Sequence, residues 1–447
     1  MSSKIGLILT LILLFYFCPL RSQETAPVSK SVSAQATPPD SQSSNAALDS
    51  LVKQLEQRIK KLEQTKAEQQ AADDLKKLME EATTLSTLQK KQEAGVGKKF
   101  KSGVRQQSGL NPNISLGGDF FAAVSSVKDD FVSKPGEISY GTNRFELREI
   151  EVSLNAPLDP FTRGKTYISV TPDAIEIEEA YMEWLNLPAS LNLKIGFFNL
   201  EFGMLNRYHD HALPQFDRPK VLAHFFTNAP VGGLGMAGNF LLPRLLFADA
   251  TTFDVGVVRG GNNQSFTTEG YYNLLYSANF KNYYDLTRDT YLEWRVSGIT
   301  GNNDPAENYR SYVGNLSLAI KWAPVGRAKY RTIDWRTEFL FSRRETAAGK
   351  IESKGFYTSL QNKLDARHWL TGRVGYAELP FDHNQHEWDF TLCGDYWQSE
   401  FVFWRLQYQY SMREFTDYPN IAGPYPNSHT VLFQVCWAMG PHKHEAY

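Results

Sequence analysis

The chain has 447 residues, of which 42% are hydrophobic and 13% are aromatic. Its 47 lysines and arginines nearly balance its 49 aspartates and glutamates, so no long-range basic field points to nucleic acid as a partner. After the N-terminus, no apolar run reaches the roughly 20 residues that a membrane-spanning helix needs. The composition therefore excludes a helical membrane protein. It leaves a secreted β protein or a membrane barrel, in which apolar residues occupy every second position.

Residues 1–22 are predicted to be a secretory signal peptide. Lys4 precedes an apolar run over residues 5–17, which ends near Pro19 and Ser22. The charge is N-terminal and the run is too short to span a bilayer, which argues against the alternative of a membrane anchor helix. The bulky residues before Cys18 do not fit a lipoprotein signal.

Three polar segments are predicted between the signal peptide and the barrel. Residues 23–47 are rich in Ser, Ala, Pro, Gln and Thr, which is typical of a disordered linker. Residues 48–88 are predicted to be helical, because apolar residues recur at steps of three and four between charged ones, as in a coiled-coil seam. A solvated single helix is the alternative. Residues 89–113 are a polar linker with six basic side chains, and this whole extension is expected in the periplasm.

Residues 114–447 are predicted to form an all-β domain, a transmembrane antiparallel β-barrel of about 16 strands. The pattern has a period of two, because the lipid face of each strand must be apolar while the lumen face is wet. Within residues 315–322, Leu316 and Leu318 fall on one face, and Ser317 and Lys321 fall on the other. The predicted strands lie near 114–123, 144–156, 163–171, 174–186, 190–198, 233–242, 244–257, 271–280, 290–300, 312–323, 331–343, 354–364, 367–378, 387–397, 401–412 and 428–438.

The predicted connections alternate between short and long. An even strand count puts both termini on the periplasmic side, so the turns after even strands should be short, as at 186–188, 242–244, 365–367 and 398–400. The connections after odd strands are long, and the tight turn at 171–173 is the exception. This sorting, with Trp and Tyr near many strand ends, favours an outer-membrane barrel over a soluble β domain. The long connections are 124–143, 199–232, 259–270 and 414–427.

Charged side chains of both signs fall in the predicted lumen register. A water-filled pore would hydrate them, whereas an unpaired buried charge costs several kcal/mol. Acidic and basic patches that face each other across a constriction would set a transverse field, without strong preference for either ion sign. The alternative is a non-conducting barrel filled by salt bridges. The predicted pore-lining residues are Glu149, Glu151, Glu293, Arg295, Arg336, Glu338, Arg373 and Arg405, with Asp334 and Asp389 in the same register.

The connection over residues 199–232 is the longest in the predicted barrel. General diffusion porins fold their third outward loop into the channel, and this chain resembles them in strand count, loop position and loop polarity. The loop is therefore predicted to narrow the pore. The predicted constriction residues are Arg207, Asp210, Asp217, Arg218 and Lys220.

The same loop carries the candidate metal ligands His209, His211 and His224, which could bind zinc through imidazole nitrogens. Ordinary loop polarity is the alternative, and no other cofactor is predicted. Cys393 and Cys436 are predicted on strands with one strand between them, about 9 to 10 Å apart. That is beyond disulfide reach, so two free structural thiols are expected.

Several motifs carry a family resemblance over roughly residues 113–447, and the most specific of them lie between 156 and 219. They are Ala156-Pro157-Leu158-Asp159-Pro160-Phe161, Ile175-Glu176-Ile177-Glu178-Glu179-Ala180-Tyr181, Asp217-Arg218-Pro219 and Gly440-Pro441-His442-Lys443-His444. These motifs resemble a group of uncharacterised bacterial outer-membrane barrels that are similar to the phosphate-selective porin superfamily.

The resemblance implies a porin-type channel in outer-membrane lipid, and a homotrimer. The lysine-rich ladder expected for phosphate selectivity is not evident in the predicted lumen register, so that substrate does not carry over. The function predicted here is passive diffusion of small hydrophilic solutes or ions. The alternative is a zinc-linked uptake porin or a surface metal-binding protein. Enzyme chemistry is not expected, because Ser428 and His429 are merely adjacent in sequence.

Overall fold

The computed structural model describes residues 112–127, 129–130, 139–140, 143–262, 264–269, 273–416 and 426–440. The predicted signal peptide, disordered linker and coiled-coil segment lie outside these residues, as does the polar linker up to residue 111. In the part of the chain that is described, no helix is both long enough and apolar enough to cross a membrane.

Sixteen antiparallel strands close into a barrel in which successive strands pair and the first strand pairs with the last. The predicted barrel and its strand number are confirmed. The barrel strands are β1 Asn113–Ser125, β4 Asn143–Pro157, β5 Thr162–Val170, β6 Ile175–Leu187, β7 Leu191–Asn199, β8 Gly232–Leu242, β9 Ala250–Arg259, β10 Leu274–Thr287, β11 Thr290–Asn302, β12 Arg310–Trp322, β13 Thr332–Thr346, β14 Gly349–Lys363, β15 His368–Leu379, β16 Asp382–Trp397, β17 Val402–Glu414 and β18 Ser428–Met439. Two short strands, β2 Asp129–Asp130 and β3 Ser139–Tyr140, pair with each other outside the barrel sheet.

The period of two sorts side chains between lumen and outer surface. In β12, Ser311 and Ser317 are fully buried, whereas Tyr312 and Leu316 are 44% and 47% exposed. Polar residues therefore face the interior of this strand and apolar ones face outward. This is the arrangement that a barrel in lipid requires.

The alternation of short and long connections is weaker than predicted. At the end of the barrel with the long loops, residues 347–348 and 380–381 also make short connections. At the other end, β9 begins at Ala250, so residues 243–249 replace the tight turn predicted at 242–244. The strand predicted near 271–280 continues to Thr287, because its polar end still pairs with β11. Backbone hydrogen bonding extends strands beyond their apolar stripe, and the sequence pattern does not record that extension.

Two β-bulges turn consecutive residues toward the lumen. The pairing of β4 with β1 skips Arg148, and the pairing of β6 with β5 skips Glu178. A bulge inserts one extra residue and re-aims a side chain. Arg148 therefore joins Glu149, and Glu178 joins Glu179, on the interior side of the wall.

The two cysteines confirm the sequence prediction. Cys393 on β16 and Cys436 on β18 are buried and free, and β17 lies between their strands.

Candidate functional site

Residues 200–231, between β7 and β8, fold into the barrel and are called the inward loop. Phe216 and Phe225 of this loop are fully buried, and Leu200 is 1% exposed. The loop contains a short 3-10 helix, Asp210–Ala212, and one α-helix, α1, Lys220–Phe226. The longest connection is therefore part of the folded interior.

An apolar cluster holds the inward loop against one side of the wall. The rings of Phe202 and Phe226 meet edge to face, with centroids 5.1 Å apart. Each large apolar side chain that is buried contributes about 1.5–3 kcal/mol to stability. The wall side chains in this cluster face inward, which departs from the polar lumen that the sequence predicts. They are Tyr181 and Phe198 on β6 and β7, and Val258, Leu275, Ile299, Val313, Leu340, Tyr357 and Ala377 on strands β9 to β15.

Asp217 ties the inward loop to β15 and β17. Nη2 of Arg373 lies 3.0 Å from both carboxylate oxygens of Asp217. Gln407 and Gln409 donate to the same carboxylate at 2.8 and 3.0 Å. Burial by itself raises the pKa of Asp217, but the facing Arg373 lowers it below its usual range. The carboxylate is therefore ionised, and its buried ion pair with Arg373 is called the latch.

Three other predicted constriction residues also have protein partners. Arg218 donates to three carbonyl oxygens within the loop, at 2.8, 2.5 and 3.2 Å. Lys220 is buried 4.0 Å from Asp217, and Asp210 accepts from Arg148 at 2.9 Å. These side chains stabilise the loop rather than face open water. That these residues form the pore constriction stays a prediction, and a loop buried in the lumen must pair its own charges.

The predicted pore-lining residues lie on the lumen face, and several contact the inward loop. Glu338 accepts from the amide of Met204 at 3.1 Å. Arg295 and Arg405 donate to loop carbonyl oxygens at 2.8 and 3.1 Å. The wall charges therefore hold the loop in place as well as line the interior. The remaining residues of this set are Glu149, Glu151, Glu293, Arg336 and Arg373.

The three predicted histidine ligands do not come together. The rings of His209 and His211 have centroids 6.0 Å apart and face β4 and β6. His224, on α1, lies 2.6 Å from Glu387 on β16. The loop crosses the lumen between these points, so a site that contains all three histidines is not formed.

His209 and His211 meet four glutamates. Nδ1 of His209 lies 2.7 Å from Glu151 and 2.6 Å from Glu178, and its Nε2 lies 3.3 Å from Glu179. Burial lowers the pKa of His211, but Glu151 and Glu149 raise it more, to about 9. The His–Glu cluster comprises Glu149, Glu151, Glu178, Glu179, His209 and His211.

Glu178 and Glu179 face the barrel interior, which the sequence analysis did not predict. In a strict alternation one of two adjacent residues faces lipid, and the bulge in β6 removes that rule. The available signal was the pair of adjacent glutamates in a strand that otherwise alternates, Ile175-Glu176-Ile177-Glu178-Glu179. A charge predicted on the lipid face is a reason to expect a bulge.

A cavity of about 190 Å³, called the basic cavity, remains beside the first part of the inward loop. Arg207, the remaining predicted constriction residue, lines it and pairs with Glu201 at 2.5 Å. Three lysines line it, Lys165 on β5, Lys194 on β7 and Lys281 on β10. The charged lining residues are Arg163, Lys165, Lys194, Arg207, Lys281, Glu183, Glu201 and Asp254.

Gly203 is required where the inward loop turns toward β13. Its φ is +55°, and a Cβ there would collide with the carboxylate of Glu338. We expect Gly203→Ala to lower the free energy of unfolding by about 1–3 kcal/mol, measured by thermal circular dichroism in detergent. Gly314→Ala is the matched control, since an added Cβ meets nothing within 4 Å there. Equal effects of the two substitutions would contradict this role for Gly203.

The fold has counterparts among known outer-membrane proteins. No known protein-family profile matches the chain. It is 26% identical over 290 residues to an uncharacterised protein of Aquifex aeolicus (strain VF5), which covers 58% of this chain and 60% of that protein.

Three solved structures align with about three quarters of the chain. They are the anion-selective porin of Comamonas acidovorans (7% identity, 73% of this chain and 99% of that one, TM-score 0.51), the outer-membrane channel DcaP of Acinetobacter baumannii (13%, 74% and 97%, 0.50), and OprB of Pseudomonas putida (10%, 74% and 94%, 0.50). At this identity the likeness concerns the fold. The chain therefore has the closed β-barrel fold of outer-membrane porins.

Proposed function

We propose that the chain is a porin-like channel of the bacterial outer membrane for passive diffusion of small hydrophilic solutes. The observation that carries this proposal is the basic cavity, which lies between the barrel wall and the inward loop and is lined largely by charged and polar side chains. A sixteen-stranded barrel is wide enough to hold an aqueous channel, and the inward loop narrows the space that remains. The fold that the chain shares with porins also supports a channel function.

The basic cavity favours anions over cations. Five basic side chains and three acidic ones line it, which leaves a surplus of two positive charges. A charged narrow passage with low-dielectric walls concentrates ions of the opposite sign. This proposal replaces the sequence-based expectation of no strong preference for either sign. The porin of Comamonas acidovorans, which has the same fold, is described as anion-selective.

Charge reversal in the basic cavity tests the proposal. In planar bilayers under a salt gradient, the wild-type channel should show a reversal potential of the anion-selective sign. The Lys194→Glu, Lys281→Glu double variant should lower the anion-to-cation permeability ratio by roughly tenfold, because it changes the surplus from positive to negative. Lys350→Glu, at the exposed start of β14, is the control and should change little. An unchanged ratio in the double variant would contradict this path, and electrical silence would favour a barrel closed by salt bridges.

We also propose a signal peptide over residues 1–22, a periplasmic extension with a helical segment over residues 48–88, and a homotrimer in outer-membrane lipid.

A further inference from the structure

Three side chains from three separate elements converge within the His–Glu cluster. Glu151 comes from β4, Glu178 from the bulge in β6, and His209 from the inward loop. One potential ligand atom from each lies within 4.8 Å of the other two. The bulge matters here, because regular alternation would turn Glu178 away from the interior. The arrangement therefore depends on the tertiary structure and is not a feature of one polar loop.

The donor atoms fit a divalent transition metal. One imidazole nitrogen and two carboxylate oxygens form a ligand set that suits Zn²⁺ and leaves a fourth position for water. Nδ1 of His209 lies 2.7 and 2.6 Å from the two carboxylates. Ligand atoms around a tetrahedral zinc ion are about 3.3 Å apart, given bonds of about 2.0–2.1 Å. A bound ion would therefore move these side chains apart by roughly 0.6–0.7 Å.

The surroundings of His209 match those of a metal-bound imidazole. Such a ring commonly donates its other nitrogen to a carboxylate, and Glu179 lies 3.3 Å from Nε2. Glu179 is itself positioned by the amide of Asn199, which donates to it at 2.7 Å. The ring of Tyr167 packs 4.6 Å from the imidazole centroid and fixes its plane.

The charge balance of the cluster also favours a cation. Four glutamates outnumber two histidines whatever the protonation of the imidazoles. Arg148, the neighbouring bulge residue, is paired with Asp119 and Asp210. The side chain of Glu178 is 26% exposed, which gives an ion a route from the lumen.

We propose that Glu151, Glu178 and His209 bind one divalent transition-metal ion, with Zn²⁺ as the probe. The ion would fasten the inward loop to β4 and β6, and this site does not depend on whether the barrel conducts. His211 and Glu149 flank the site as a separate pair, 3.0 Å apart.

Zinc titration of the purified, tag-free protein in detergent tests the site. Isothermal calorimetry should give one Zn²⁺ per chain at this site, and Co²⁺ should give the visible absorption of a tetrahedral complex. Glu178→Gln should weaken zinc binding by roughly tenfold or more, with an unchanged circular dichroism spectrum. Glu183→Gln is the matched control: it lies on the same strand but pairs with Arg163 in the basic cavity, so its zinc affinity should equal that of the wild type.

A second variant separates this site from the C-terminal histidines. His442→Ala with His444→Ala should keep the Glu178-dependent binding. Absence of zinc binding in the wild type, equal affinity in Glu178→Gln, or loss of all binding in the C-terminal variant would each overturn the proposal. These outcomes leave the channel function untouched, because they are read from binding and not from conductance.

Discussion

Removing the inward loop should raise the single-channel conductance of the barrel by roughly an order of magnitude. The variant replaces residues 203–228 with a short Gly-Ser linker. The wild-type loop contacts the wall from β4 and β6 on one side to β15, β16 and β17 on the other, so it occupies much of the lumen. Planar-bilayer recordings at matched salt would measure the change.

This deletion exposes apolar wall residues such as Val313 and Leu340 to the lumen, so folding must be checked first. Circular dichroism and resistance of the barrel to detergent unfolding provide that check. Shortening the exposed connection over residues 303–309 is the matched control and should leave conductance unchanged. A folded loop-deletion variant with wild-type conductance would show that the loop is not the barrier.

Breaking the pair between Asp217 and Arg373 should destabilise the folded state by about 3–5 kcal/mol. The side chains of Arg373 and Asp217 are 0% and 9% exposed, so Arg373→Gln leaves the buried carboxylates of Asp217 and Asp389 without their nearest charged partner. Thermal unfolding in detergent would show the loss of stability, and faster proteolysis would show a loosened loop. The double variant Asp217→Asn, Arg373→Gln should recover part of the lost stability, because the charge of Asp217 is removed together with that of Arg373, although Asp389 still lacks Arg373.

The same pair also makes the stability of the folded state depend on pH. Because Arg373 depresses the pKa of Asp217 in the folded state, its contribution is fully present above the usual carboxyl value of 3.8. It is lost as the pH falls from there through the lower folded pKa, so the pair weakens only in strong acid.

Arg163→Gln is the control for the unfolding experiment with Arg373→Gln. The partner of Arg163 is Glu183 and its side chain is 40% exposed, so the free energy of unfolding should fall by at most about 1 kcal/mol. Equal losses in the two arginine variants would contradict the latch.

Periodic hydrophobicity was enough to predict the barrel. Each of the sixteen sequence segments that alternate between apolar and polar residues forms a strand, because one side chain faces hydrocarbon and the next faces the barrel interior. The length, position and polarity of the connection after Asn199, together with the resemblance to general diffusion porins, were likewise enough to identify it as the loop that enters the barrel. Strand ends and turn lengths were less accurate, since backbone pairing in β10 and β14 continues beyond the apolar pattern.

The sequence by itself determined the closed barrel, the lumen register of residues such as Glu338 and Arg373, and the free thiols. Only the tertiary structure decided what those charges contact, because a partner can lie more than a hundred residues away, as Asp217 does from Arg373. It also decided the two bulges, which depend on the register between neighbouring strands. Side-chain periodicity is a property of one strand, whereas a bulge, a latch and a shared ligand site are properties of several segments packed together.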